Sequence, residues 1–280
     1  MGPFNFEVTS TLASVAQQFA YIYHNYPALK DSDFIDFHTE ILAPVGLRNF
    51  IKPNVQFQFD HHHIPFKPLP KAQGYAMLEW GMNWCIAANA HQYLVLHSAV
   101  ISKQGKSIIM PAPPGSGKST LCAAMAYNGW QLLSDELGLV NRNIETIPCT
   151  RPINLKNDSI DILKKLAPSA RFSQKAHDTQ KGTVALLEPP KTSIDQMFEK
   201  SVPKAIVFPK YVANSDCVVT PVSDANSLQQ IIDNSFNYHV LGLEGFELAT
   251  KLIKQCQSFH LEYSQFGEAN DALEEIINEH

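Results

Sequence analysis

The chain has 280 residues, 45% apolar and 18% charged, enough for a sizeable core and, by length, about two domains. A net charge of −5, with no basic block and no aromatic–basic interleaving, argues against a nucleic-acid partner. The five cysteines are scattered with no CxxC pair, no charged-then-apolar leader opens the chain, and no apolar run of ~18 residues occurs; the expectation is reduced thiols, no membrane partner and a cytoplasmic location.

Residues 1–67 read as a small α+β unit. Phe4–Val8 alternates as a strand does, and Thr9–Tyr23 has helical spacing with Ser10 or Thr11 as its cap. Phe34–Leu42 and Val55–Phe59 look like two more strands. His61-His62-His63 raises a metal reading, but in an extended chain only His61 and His63 share a face, and no acid or Cys stands nearby at ligand spacing. A solvated loop is the preferred reading. Pro65, Pro68 and Pro70 mark a stiff connection into a second domain, residues 68–280. Ala72–Ala90 then reads as a helix whose Met77, Trp80, Trp84 and Ala88 share a core-facing stripe.

Leu94–Ile101 is an apolar strand, Ser102–Lys106 its turn and Ser107–Met110 its return. A hairpin centred near Gln104 sets His97 opposite Pro111, at the mouth of the next loop. A lone histidine in such a strand is commonly a core residue; this register makes His97 a candidate for work beside an anion. The loop reads Ala112-Pro113-Pro114-Gly115-Ser116-Gly117-Lys118-Ser119-Thr120, the Walker A pattern with Ala112 at its first glycine.

Gly115 and Gly117 open backbone angles that turn successive amides, from Gly115 through Thr120, toward phosphate oxygens, with Pro114 lining the loop. The helix that follows, ending at Asn128-Gly129, adds unpaired N–H groups and about half a positive charge at its start. Lys118 is suited to the outer phosphates and the Ser119 hydroxyl to magnesium. A plain turn before a helix is the alternative. Trp130–Leu133 is a second strand ending in Ser134-Asp135-Glu136, 17 residues after Lys118. Acids at a strand end beside a phosphate loop suit a metal ligand or a general base; a helix cap or polar turn is the other reading.

Leu137–Val140 begins another strand, Asn141–Asn143 a turn, and Ser159–Leu166 a helix. Arg151 and Lys156 lie in Arg-Pro-Ile-Asn-Leu-Lys. Residues 167–183 read as a polar loop whose Lys181-Gly182 is the best candidate for a mobile cation, although plain surface charge is the commoner fate of a lysine. Pro189 to Lys204 looks like a connector and Ala205–Phe208 a buried strand. Ser223–Phe236 and Gly245–Cys256 look like helices, Ser258–Tyr263 an edge strand and Glu268–Asn278 a final helix.

The order of a histidine strand, a phosphate loop, a helix closed by Asn-Gly and an apolar strand ending in paired acids resembles the HPr kinase/phosphorylase catalytic domain. It is most similar to the branch called HPr-related kinase A. The matching pieces are Leu96-His97-Ser98-Ala99, Ala112–Thr120, Gly129-Trp130 and Leu133-Ser134-Asp135-Glu136, then Arg151–Lys156, Asp178–Gly182, Val207-Phe208-Pro209 and Ser235–Tyr238.

The resemblance implies an α/β P-loop kinase domain of the HPr kinase/PEP carboxykinase type that uses ATP and magnesium. It implies that Lys118 and Ser119 serve nucleotide and metal, and that of Asp135 and Glu136 one takes a proton from an acceptor hydroxyl while the other helps hold the metal. It implies that His97 stands near the transferred phosphate, and it favours Arg151 and Lys181 as site cations. Where the family's second acid is Asp, this chain has Glu136. The resulting expectation is transfer of the γ-phosphate to a hydroxyl, with Ser or Thr of a protein or peptide as the leading acceptor. A metabolite kinase, a nucleotide-binding module with little turnover and a carboxykinase are the alternatives, and assembly into a homo-oligomer is left open.

Overall fold

Apolar residues at every second position build the strands of the N-terminal segment in a computed structural model that describes residues 1–44 and 53–279. β1 (Phe6–Ser10), α1 (Ala13–Ile22), β2 (Phe37–Leu42), β3 (Asn54–Phe59) and β4 (Leu69–Pro70) form a sheet ordered β1-β2-β3-β4. Neither expected hydroxyl caps α1, because both are used elsewhere: Ser10 Oγ accepts from Leu12 N (3.1 Å) and Thr11 Oγ1 from Ala43 N (2.9 Å).

A single 3-10 turn leads into α2 (Gly74–Asn89). Of the expected stripe Met77 is fully buried, Trp80 and Trp84 are half-buried and Ala88 is exposed, while Leu78, Met82, Cys85 and Ile86 are fully buried as well. The helix is apolar on more than one face, so periodicity alone could not choose between them. Trp84 instead stacks on His63 (5.4 Å), while His61, in a tight turn at φ 63°, meets Glu40 at 3.1 Å.

β5 (Leu94–Lys103) and β6 (Lys106–Pro111) form the expected hairpin, shifted by one residue. Gln104 (φ 52°) and Gly105 (φ 75°) make a two-residue turn with both angles positive, the type I′ geometry that matches strand twist. Ser98, not His97, therefore pairs with Pro111, and His97 pairs with Leu137.

α3 (Lys118–Tyr127) ends where Gly129 turns at φ 93° and Trp130 N returns to Met125 O (3.1 Å). β7 (Gln131–Ser134) and β8 (Leu137–Val140) then run along the same edge of β5, and β9 (Thr146–Ile147) follows. Leu133 is an extra, bulged residue, after which Val100↔Ser134 and His97↔Leu137 share one register. Asp135-Glu136 thus follows directly on the end of β7, as expected, and separates it from β8, beside Ala99 and Ser98.

β10 (Ile153–Lys156), α4 (Asp158–Leu166), β11 (Ala176–Thr179) and β12 (Gly182–Leu187) follow, with a sheet ordered β10-β12-β11. The expected loop over 167–183 is in part this β11–β12 hairpin. Its outward residues His177, Asp178 and Lys181 are exposed, so composition disguised it.

α5 (Lys191–Asp195), β13 (Val202–Tyr211), β14 (Val218–Pro221), α6 (Asp224–Asp233), α7 (Tyr238–Leu241), α8 (Leu243–Gln255), β15 (Gln257–Tyr263) and α9 (Phe266–Glu279) complete the chain. The large sheet runs β14-β15-β13-β6-β5-β8-β9, with β7 also on β5. β6, β13 and β15 are parallel neighbours, so their C-terminal ends share one edge of the sheet. β15 is interior, not the expected edge; the edge is β14, whose four residues are all exposed. Helices cover both faces: α6 and α8 pack on Leu94, Leu96, Val100, Ile109 and Ile206, while α3 and α9 contact each other and the sheet strands. The fold is a mixed α/β one.

These residues divide into two compact units, Met1 with Pro3–Ile86 and Pro152–Glu188, and Gly2 with Ala87–Arg151 and Pro189–His280. The first unit thus takes in residues well beyond the N-terminal segment. Among the described residues no helix is long and apolar enough to cross a membrane.

The core of the second unit makes an alkaline prediction. Burial pushes the Cys256 thiol up to about 12 from 9.0, with Lys204 pulling it back. The unfolded thiol ionises first, so this group stabilises the fold below pH 9 and loses that contribution as pH rises toward 12, by roughly 1.4 kcal/mol per unit. In denaturant titrations at pH 8 and pH 11, wild type is expected to lose about 2 kcal/mol more than Cys256→Ala. Equal losses would refute it.

Candidate functional site

The 112–120 loop leaves the sheet at Pro111 and enters α3 through Gly117, at φ 90°, with no side-chain cap. The first hydrogen bond back into the loop runs from Leu121 N to Gly117 O (2.9 Å), so the amides of Ser119 and Thr120 have no intrahelical acceptor. Gly115 also sits at positive φ, 91°. Pro113, Pro114 and Gly115 are exposed, Ser116, Gly117, Ser119 and Thr120 are half-buried, and Lys118 is buried. The Ser116 hydroxyl is buried and has no hydrogen-bond partner among the described residues. A cradle of positive-φ glycines, a helix start and a lysine is chemically suited to an anion.

Two tyrosines brace this loop from the neighbouring strands. Tyr211 N, at the end of β13, donates to Ser116 O (2.9 Å), and Tyr263 Oη, at the end of β15, donates to Gly117 O (3.3 Å). Burial pushes the Tyr263 phenol well above its ordinary value, which keeps that donor protonated. A Cβ on Gly117 would stand 2.8 Å from Tyr263 Oη and 2.9 Å from Tyr211 Cβ, so glycine is required there by space as well as by angle.

Across the hairpin, Lys118 Nζ reaches His97 O at 3.4 Å. His97 is half-buried, its N–H donates to Asn234 O (2.6 Å) and its ring meets Phe236 edge-on at 5.6 Å. Where β6 leaves β5 to become the loop, the 234–237 segment takes over: Ser235 bridges Leu96, and the Asn237 side chain binds Val95 N (2.9 Å) and Tyr93 O (2.8 Å). Asn237 is therefore a clamp on β5 that delivers Phe236 to His97. The fork between loop and segment is where a crevice opens in an α/β sheet.

Asp135 is 6% exposed and Glu136 half-buried. Ser134 Oγ accepts from Leu137 N (2.9 Å), bracketing the two acids in one corner. The Cys122 thiol, on α3, is held well above its ordinary value by burial first, then by the Asp135 charge, while Lys118 pulls it down. The Pro111 exit and the acid corner flank β5 on opposite sides, two strand spacings or roughly 10 Å apart. Ser134→Ala is expected to cost about 1–2 kcal/mol in denaturant unfolding by orphaning Leu137 N. A cost near zero would show the corner holds itself.

Arg151 is buried and is felt at Cys149, whose N–H donates to Leu133 O (2.8 Å) on β7. Lys181 lies in the first unit, at the β11–β12 turn, with Nζ over the Trp80 ring at 5.7 Å. Lys156, in β10, is also in the first unit. The structure thus gathers Lys118, His97 and Asp135 around one hairpin and gives Lys181 an aromatic partner of its own. Among the described residues no group of three or more His, Cys, Asp or Glu forms a ready metal cage. Ser119 with an acid of the 135–136 corner would suit magnesium, which takes one or two protein oxygens and draws the rest from phosphate and water.

Tyr211, Tyr263 and Asn234 belong to this arrangement and had no local signal in the sequence. No model of a known protein family matches this chain, and no curated protein does.

Proposed function

We propose that this chain is a magnesium- and ATP-dependent phosphotransferase of the HPr kinase type, moving the γ-phosphate to a hydroxyl, with Ser or Thr of a protein or peptide as acceptor. The observation that carries the reading is the placement, on either side of β5, of a glycine-built anion cradle and a buried carboxylate, Asp135. Resemblance in motif order supports the same assignment.

On this reading Lys118 and the amides of residues 115–120, with Pro114 lining the loop, hold the phosphates and offset charge on the transferred oxygens. Asp135 takes the proton of the acceptor hydroxyl, and His97 steadies charge beside it. Ser119, Glu136 and Asp135 supply the oxygens that would hold magnesium. Magnesium, when bound, neutralises phosphate charge and orients the triphosphate. Arg151 is the proposed accessory cation within this unit.

The test is transfer from γ-labelled ATP with magnesium to candidate proteins and peptides, run beside a metabolite panel. Label on a serine or threonine supports the proposal, and label on a metabolite moves the acceptor to a small molecule. Tight ATP binding with neither transfer nor hydrolysis would replace it with a nucleotide-binding module.

A further inference from the structure

We infer that the Tyr211 ring is the stacking platform for the base of the nucleoside triphosphate, an inference that rests on the phosphate-loop reading above. The loop has two flanks. His97 and the Asp135 corner lie on the β5 side of β6, so the reacting end of a bound triphosphate points that way. The remainder of the ligand must then run toward the other flank, where β13 and β15 lie parallel to β6 and end on the same edge. Ligands of open α/β sheets sit outside the carboxyl ends of such strands.

Tyr211 is the last residue of β13 and stands directly against the loop. Its root is fixed: the backbone N–H is on Ser116 O at 2.9 Å, and Cβ lies 2.9 Å from where a Gly117 Cβ would stand. Its ring is not enclosed. Tyr211 is 50% exposed, while the fully buried Tyr263 supports it at 5.8 Å and 71°. The chain beyond is tied down, with Val212 N on Tyr263 O (3.0 Å) and Ser264 Oγ on Ser215 O (2.7 Å). A large ring held rigid at the backbone and left open to solvent beside an anion cradle is what a flat heterocycle needs. Stacking of this kind accepts any base face, so ATP and GTP should lean on Tyr211 alike.

The full chain is titrated calorimetrically with magnesium ATP and with magnesium tripolyphosphate, which has phosphates and no base. Tyr211→Ala keeps the backbone donor and the Cβ against Gly117, so it removes the ring alone. It is expected to weaken ATP roughly tenfold to a hundredfold and leave tripolyphosphate within about twofold, while Tyr211→Phe behaves as wild type toward both. Equal weakening of both ligands by Tyr211→Ala would make the ring a brace of the loop and overturn the inference. So would unchanged ATP affinity. Failure of wild type to bind tripolyphosphate would remove the phosphate-loop reading itself, and this inference with it.

Discussion

Asp135→Asn is expected to lower phosphoryl transfer by roughly 10²–10⁴-fold, the range for loss of a positioned general base. The amide keeps the shape of a side chain only 6% exposed but cannot accept the proton of the acceptor hydroxyl. ATP affinity should change far less than transfer, because Lys118 and the loop amides are untouched. A second readout needs no acceptor. The Asp135 charge helps hold the Cys122 thiol up, so the variant should lower that thiol's ionisation range, only in part because burial is the larger cause. Thiolate ultraviolet absorbance against pH, taken as the difference from Cys122→Ala, would show it, since the buried sulfur is closed to alkylating reagents. Transfer at the wild-type rate would remove Asp135 from the chemistry, and an unmoved Cys122 would remove it from the neighbourhood of α3.

The second large effect is expected at Gly117. Alanine there must hold φ 90° and also place Cβ 2.8 Å from Tyr263 Oη and 2.9 Å from Tyr211 Cβ, neither of which is the free end of a flexible chain. Strain of this kind costs on the order of 1–3 kcal/mol. If the loop relaxes to relieve it, the amides turn off the phosphates and ATP affinity falls roughly tenfold to a hundredfold or more. Gly115→Ala is the internal comparison. Gly115 has the same sign of angle (φ 91°) but open space around its added Cβ, so its loss should be clearly smaller. Equal losses would mean that the tyrosine brace is irrelevant and backbone angle alone matters.

Much of this site was legible because its chemistry is local. The phosphate loop is nine consecutive residues, its glycines and lysine are neighbours, and an apolar strand precedes it. The hairpin carrying His97 was legible too, but its register was not. Placing the turn at Gln104 rather than between Gln104 and Gly105 moved every partner by one residue, because side-chain facing in a strand repeats every two. The acid pair was read at the end of an apolar strand, and β7 does end at Ser134, directly before it. Only pairing with β5 shows that β8 resumes the same edge after the two acids.

Residue types in order along the chain determined what this protein could hold: an anion cradle, a lysine, a pair of acids and a histidine, each dictated by covalent neighbours and local torsions. Tertiary structure decided which of them meet. Asn237 clamps β5, Tyr211 and Tyr263 reach the loop from strands far along the sequence, and Lys181 belongs to a different compact unit from Lys118. The reason is physical. A turn or a helix start is set by torsions within a few residues, whereas strand neighbours are chosen by the burial of whole faces, and that choice leaves no mark on any short stretch of sequence.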